Sequence, residues 1–182
     1  KIERECSVIK SSKNLSTAVI PILGDIRDAE NLKHIFSMYS IDTVYHAAAY
    51  KHVPLVEDEH NIAKAAENNI LGTFNLAQAA IQNNVSSFVM ISTDKAVRPT
   101  NVMGATKRFS EIIIQSLNDV NDNIKFSMVR FGNVINSSGS VIPLFMDQIA
   151  IGGPVTITDK DVMRYFMTIP EASNLVLQAG EL

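Results

Sequence analysis

Short apolar runs alternate with amphipathic stretches along most of this chain, and that alternation constrains the fold more than any other feature. It predicts a parallel sheet covered by helices, an α/β Rossmann-like arrangement with helices on both faces. Residues 17–23 (TAVIPIL) read as a strand ending at Gly24-Asp25. Residues 28–39 carry Leu32, Ile35, Phe36 and Tyr39 at helical spacing, with Asp28 as N-cap. Residues 42–46 (DTVYH) form a short strand running into Ala47, Ala48 and Ala49. A long Ala-rich helix over 63–83 follows, with Ile70, Leu71, Phe74 and Leu76 among its apolar positions. Then come a buried strand at 87–92 (SFVMIS), a helix over 101–117 with Phe109, Ile112, Ile113 and Leu117 marking its buried side, and a strand at 125–131 (KFSMVRF). Beyond a Gly-, Asn- and Ser-rich loop, 141–149 reads as a short helix stopped by Gly152-Gly153-Pro154. Residues 155–157 and 165–168 read as extended, and a last helix follows Pro170.

The 182 residues, 46% hydrophobic and 19% charged, suffice for one domain with a full core. With no repeat or flexible linker, 1–182 is the economical division. A net charge of −3 gives no electrostatic reason to expect nucleic acid or an anionic membrane surface as a partner. No apolar run approaches the roughly 20 residues of a membrane span, so no membrane contact by this segment is expected. The single cysteine, Cys6, cannot close an internal disulfide, in agreement with a reducing compartment. The start at Lys1 reads as that of a processed product or a piece of something longer.

The richest segment for chemistry is Ser92-Thr93-Asp94-Lys95, directly after a buried strand. In open α/β sheets the ligand crevice lies outside the carboxyl ends of the strands. Adjacent Asp and Lys offer one acid/base group of each polarity, suited to removing a proton and a hydroxyl from neighbouring carbons. An ordinary surface ion pair is the competing reading. Met103 and Lys107 are four residues apart on the next helix and should share a face. Taken alone, that pair reads equally as core plus a snorkelling rim.

Taken with the strand end, the pair resembles the extended short-chain dehydrogenase/reductase family, which places Ser/Thr there and Tyr-x-x-x-Lys on the following helix. Longer stretches resemble the nucleotide-sugar 4,6-dehydratases of bacterial surface-polysaccharide synthesis. They are HAAAYKHVP from His46, NILGT from Asn69, STDKA from Ser92, NVMGATK from Asn101, RFGNV from Arg130, GSVIP from Gly139 and RYFMT from Arg164. The acid–lysine pair, and Met103 where Tyr would stand, resemble the capsule- and O-antigen-type members, which are often membrane-anchored.

The resemblance implies oxidation of a UDP-N-acetylhexosamine at C4 by tightly bound, recycled NAD or NADP, loss of the C5 proton and the C6 hydroxyl, and return of the hydride to C6. UDP-N-acetylglucosamine is the expected substrate and surface polysaccharide the destination. On this reading Lys95 is the C5 base, Asp94 the C6 acid, and Thr93 hydrogen-bonds the C4 oxygen. Lys107 holds the nicotinamide ribose. Met103 departs from the pattern because a thioether cannot accept the C4 hydroxyl proton; Asp94 is the first choice to do so. Two lysines in one crevice should depress each other's pKa. On the cofactor side the resemblance assigns Asp25 and Ile26 to the adenine, Ala47, Ala48 and Ala49 to close approach of the dinucleotide, Asn69 to steadying the crevice, and Ser92 and Lys107 to the strand end. A helix-capping turn at Gly24-Asp25 and simple packing of the alanines are the plainer readings. Lys51, Asn133, Ser140, Val141 and Arg164 are assigned to the sugar nucleotide, within substrate-binding segments spanning 132–182. Arg164 could equally be a surface charge.

No G-x-G-x-x-G loop is present to cradle a pyrophosphate, so the first strand and its glycine-rich loop are expected to be missing. The histidines lack metal-ligand spacing, so no metal is expected; His46 reads as a packed or hydrogen-bonding residue. A homo-oligomer is expected, in the cytoplasm or at the cytoplasmic face of the inner membrane. The alternatives are a nucleotide-sugar epimerase and a non-catalytic sugar-nucleotide binding domain.

Overall fold

In the computed structural model, residues 2–13, 16–135, 137, 141–157 and 159–181 are described. Three parallel strands form the main sheet in the order β1 (Thr43–His46), β2 (Ser87–Thr93), β3 (Lys125–Phe131). The register runs Thr43 to Ser87 and Ser87 to Lys125, so the carboxyl ends of all three strands open on one side. Parallel neighbours require crossovers. Between β1 and β2 the crossover is a short α3 (Val53–Val56) and a long helical run; between β2 and β3 it is α6 (Val102–Asp119).

Side chains alternate across β2. Phe88 and Met90 point into the principal core with Leu76, Ala77 and Ala80 of α5 (Gly72–Gln82) and Ile114 of α6. Leu32 and Phe36 of α2 (Ala29–Met38) close that core from outside. On the opposite face lies α8 (Ile169–Glu181), whose Gly180 and Ala179 carbonyls accept from the Ser87 and Ser127 hydroxyls. The expected helices on both faces are therefore present.

Local chemistry explains the boundaries. Asp28 caps α2 by accepting from the Asn31 amide, and Asn101 caps α6 by accepting from that of Gly104. The helix α7 (Val141–Ala150) gives way to Gly152 and Gly153 at φ of +94° and +77°, a region open to glycine. Tyr165–Thr168 is extended in part: β5 (Phe166–Met167) pairs in parallel with β4 (Asn133–Val134). An amino-terminal helix, α1 (Ile2–Lys13), completes the set and was not foreseen.

Three expectations need correction. Residues 17–23 join no sheet among the described residues and are exposed throughout. A strand exists only where a neighbour accepts its ladder, and Pro21 withholds one donor in any case. Residues 155–157, read as extended, likewise join no sheet among the described residues; Thr156 hydrogen-bonds the Gln148 side chain instead. The apolar positions of α6 were misassigned: Phe109 and Ile112 are exposed, whereas Met103, Thr106, Lys107, Ser110, Glu111 and Ile114 face inward. Thr106, Ser110 and Glu111 occupy the buried face because each is hydrogen-bonded there, to Asn69, to Ser92 or to the helix backbone.

The long helix over 63–83 is also not uniform. It comprises α4 (Ile62–Ala66), a π-helical turn (Glu67–Leu71) and α5. A π turn widens the backbone ladder and releases a carbonyl. Here the Asn69 carbonyl accepts from Thr73 Oγ1 and Ser110 Oγ, each at 2.6 Å, which ties α5 to α6.

Candidate active site

The open carboxyl ends of the strands form one wall of a cleft of about 1570 Å³. Ala47 and Ala49 after β1, Ser92, Thr93 and Lys95 at the end of β2, and Met103 and Lys107 of α6 all line it. The other wall comes from the carboxyl-terminal half and includes Asn133, Val141 and Arg164; Lys51 reaches it from the loop before α3. Most of the residues singled out from the sequence thus meet in one place. Asp25, Ile26, Ala48, Asn69 and Asp94 are not among its lining residues, although Asp94 is hydrogen-bonded to Thr93 and Lys95, which are. Asp25 is exposed and held by Arg27, whose hydrogen bonds bring its carboxyl down to about 2. Ile26 packs against the core, and Ser140 lies outside the described residues.

The acid–lysine pair stands on a single 3₁₀ turn, Asp94–Ala96. Asp94 Oδ1 accepts from Lys95 Nζ at 3.1 Å and from Thr93 Oγ1 at 2.9 Å. Burial raises the Asp94 carboxyl, but the hydrogen bonds from Lys95 and Thr93 outweigh it, leaving it below the usual carboxylate range. Gly104 presses α6 onto this turn: a Cβ there would collide with the Lys95 carbonyl oxygen. Gly132, after β3, lets the chain pass beside Asp94, whose Oδ2 would lie 3.6 Å from a Cβ at that position.

Lys107 has the least ordinary environment. It is only 6% exposed, and no hydrogen bond to its ammonium is found among the described residues. Burial depresses its pKa to about 8, against the opposing pull of Glu111. The expected cause, repulsion between two lysines, is not what lowers it. A largely buried amine at the wall of a cleft is typical of groups that meet a ligand.

Met103, 4% exposed, shares the cleft with Lys107, as their i, i+4 spacing requires. Its other neighbours are Val56 and Ala65, with Val53 and Val102 alongside, so it belongs equally to a small apolar cluster.

Asn69 acts from behind the cleft. Its amide donates to the Tyr50 carbonyl and to Thr106 Oγ1, and its oxygen accepts from the Tyr50 backbone. The loop after β1 is thereby fixed to α6. His46 is buried and neutral, lowered to about 4 by burial and then by Lys107. Its Nε2 lies 2.8 Å from Thr73 Oγ1. Because that hydroxyl donates to Asn69, His46 is the donor to it, and its Nδ1 is left buried without a partner.

Sequence reasoning missed Glu111. Its carboxylate, buried beneath the strand ends, accepts from Ser92, Arg108 and Arg130. Its position four residues after Lys107 was the available signal, but an apolar criterion for the helix face passes over a glutamate.

The sequence matches the polysaccharide biosynthesis protein family over residues 1–182. It is 57% identical over 163 residues to the capsular polysaccharide biosynthesis protein CapD of Staphylococcus aureus, covering 90% of this chain and 27% of that one. A UDP-glucose 4-epimerase of Rickettsia canadensis is 41% identical, over 87% of this chain and 46% of the relative. The inverting UDP-N-acetylglucosamine 4,6-dehydratase of Campylobacter jejuni is 39% identical, over 87% and 47%. Among solved structures, Pen from Bacillus thuringiensis superposes with a TM-score of 0.83 at 37% identity, over 99% of this chain and 55% of that one. The chain thus spans from about a quarter to about half the length of these proteins. On the strength of a match along its whole length, this chain belongs to the polysaccharide biosynthesis protein family.

Proposed function

We propose that this chain carries the catalytic strand ends and part of the substrate wall of a nucleotide-sugar 4,6-dehydratase acting on a UDP-N-acetylhexosamine, UDP-N-acetylglucosamine first. The observation that carries the reading is the convergence on one cleft of Thr93, Lys95 and the buried Lys107, with Asp94 paired to Lys95 beside it. Segments from residues 132–182 supply the facing wall, where the fork of Arg164 suits a diphosphate.

The strand ends fit the nicotinamide side of a dinucleotide. Ala47 and Ala49 leave room for close approach, and the Lys107 ammonium has no other partner among the described residues. NAD or NADP bound there would supply reversible hydride acceptance, from C4 and back to C6. Lys107 would hold the ribose hydroxyls, Ser92 and the alanines would border the ring, and Asp25 and Ile26 would meet the adenine.

The residues account for every proton. Asp94, ionised at neutral pH, takes the C4 hydroxyl proton that Met103 cannot accept, with Thr93 steadying the oxygen. Lys95, entering as the neutral amine rather than as the ammonium, removes the proton at C5, which the new C4 carbonyl has acidified. Asp94 returns its proton to the departing C6 hydroxyl, which leaves as water, and Lys95 re-protonates C5. One water is lost and the product is a 4-keto-6-deoxy sugar. The exposed apolar side chains Leu71, Phe74, Phe109 and Ile112 support a homo-oligomer. No described helix is long and apolar enough to cross a membrane, and we place the reaction in the cytoplasm or at the inner membrane face.

A 4-epimerase is the second reading, favoured by the match to the Rickettsia protein. It would leave the Asp94–Lys95 pair without a task. Proton NMR of the intact protein with UDP-N-acetylglucosamine in deuterated water separates the two. The expected product is a 4-keto-6-deoxy sugar with deuterium at C5; unchanged sugar, or a C4 epimer alone, refutes the dehydratase.

A further inference from the structure

Beneath the cleft lies a charged cluster that the scheme above leaves unused. Glu111 of α6 has a side chain only 1% exposed. Burial works against its carboxylate, but hydrogen bonds from Arg130, Ser92 and Arg108 bring it down to about 2. Oε1 accepts from Ser92 Oγ at 2.6 Å and Arg130 Nε at 2.7 Å; Oε2 accepts from Arg130 Nη2 at 2.6 Å and Arg108 Nη1 at 2.9 Å. Ser92 and Arg130 are register partners on β2 and β3. One carboxylate therefore clamps the next-to-last rung of two adjacent strands to the helix that bears Lys107. The next residue after Ser92 begins Thr93-Asp94-Lys95, and Lys107 lies one helical turn before Glu111.

We propose that Glu111 is a positioning residue for the reaction assigned above: it anchors the strand end that presents Thr93, Asp94 and Lys95, and it supplies the negative charge one turn from Lys107. The word reaction rests on the dehydratase reading; the anchoring and the charge do not. Glu111 counters the effect of burial on Lys107. The other charged or titratable groups around that helix face are His46 on β1, Asp94 and Lys95 on the 3₁₀ turn, Arg130 on β3, and Glu57, which accepts from the Val102 amide at the helix start.

The test is an NMR pH titration of the lysine Cε signals of the intact protein without cofactor, with Lys107 identified by its loss in Lys107→Arg. In Glu111→Gln the Lys107 midpoint should fall by about one pH unit from its value near 8. In turnover assays kcat should drop about tenfold with KM for the sugar nucleotide little changed, and the basic limb of the pH profile should move the same way. Glu111→Gln/Arg130→Gln removes both members of the ion pair and guards against a folding defect. A merely structural role predicts that kcat returns with Tm in the double variant, whereas positioning leaves kcat low. An unmoved Lys107 midpoint in whichever variant folds, or recovery of kcat together with Tm, overturns the proposal. A wild type that makes no product defeats the dehydratase reading instead, and the lysine titration still decides this one.

Discussion

A single residue, Lys107, shows how this site trades stability for chemistry. Its pKa stands at about 8 when folded, against 10.5 in the open chain. The unfolded state thus binds more protons between those values, so burial of this lysine destabilises the fold fully below pH 8 and ceases to do so by pH 10.5. Lys107→Met should therefore raise stability by about 3 kcal/mol at pH 7 and lose that advantage by pH 10.5, in urea unfolding at the two pH values. An equal gain at both would show that the ammonium is not desolvated. Met103→Tyr probes the neighbouring departure from the family pattern. Packed among Val56, Ala65, Val53 and Val102, a ring at this position overfills the cluster at a cost of about 1–3 kcal/mol. Dehydratase activity should nevertheless persist, because Asp94 takes the proton; a binding domain would gain none. The lysine and methionine were legible in the sequence only when their spacing was joined to the strand end before them and to the resemblance it carries. Glu111 and the unpartnered Nδ1 of His46 were not, since a buried polar residue declares itself only through partners far away in the chain.

At the scale of elements, legibility followed the strength of local signals. Strands β2 and β3 and the N-cap Asp28 stand where apolar runs and capping chemistry put them. The π turn at Glu67–Leu71 could not be read, because it alters backbone hydrogen bonding without disturbing the apolar pattern. Residues 17–23 illustrate the converse: an apolar run has β-propensity, but only a partner makes it a strand. The junction of α6 with the 3₁₀ turn is the element-level feature on which catalysis depends. Two substitutions there separate helix stability from turn placement. Asn101→Ala removes the cap and should lower stability by about 1 kcal/mol, with the turn undisturbed. Gly104→Ala drives a methyl against the Lys95 carbonyl, so α6 must retreat from the Asp94–Ala96 turn. It should lower stability by about 1–3 kcal/mol and depress kcat far more than Asn101→Ala does at a matched loss of Tm. Equal kcat in the two would mean that the helix does not set the turn.

Across the molecule the packing is uneven. On the α5 and α6 side Phe88, Met90 and Ile114 are fully buried, whereas α7 contributes no buried residue and α8 only Ala172. The strand ends proposed as catalytic therefore sit on the firm half of the structure, and the proposed substrate wall on the lightly packed half. The Glu111 cluster belongs to the firm half, where it joins α6, β2 and β3, and acid should reveal its share of global stability. Its carboxyl lies at about 2 when folded and 4.5 when open. A depressed carboxylate contributes stability that is complete above the open-chain value and is lost as pH falls through the folded one. Between pH 7 and pH 3 the wild type should thus lose about 2 kcal/mol from this group, beyond any loss in Glu111→Gln/Arg130→Gln, where no such titration remains. Parallel acid unfolding of the two proteins, followed by circular dichroism, measures the difference. Superimposable acid curves would mean that the two arginines and Ser92 do not hold Glu111 ionised. The same network would then be too weak to clamp the strand ends beneath Asp94 and Lys95.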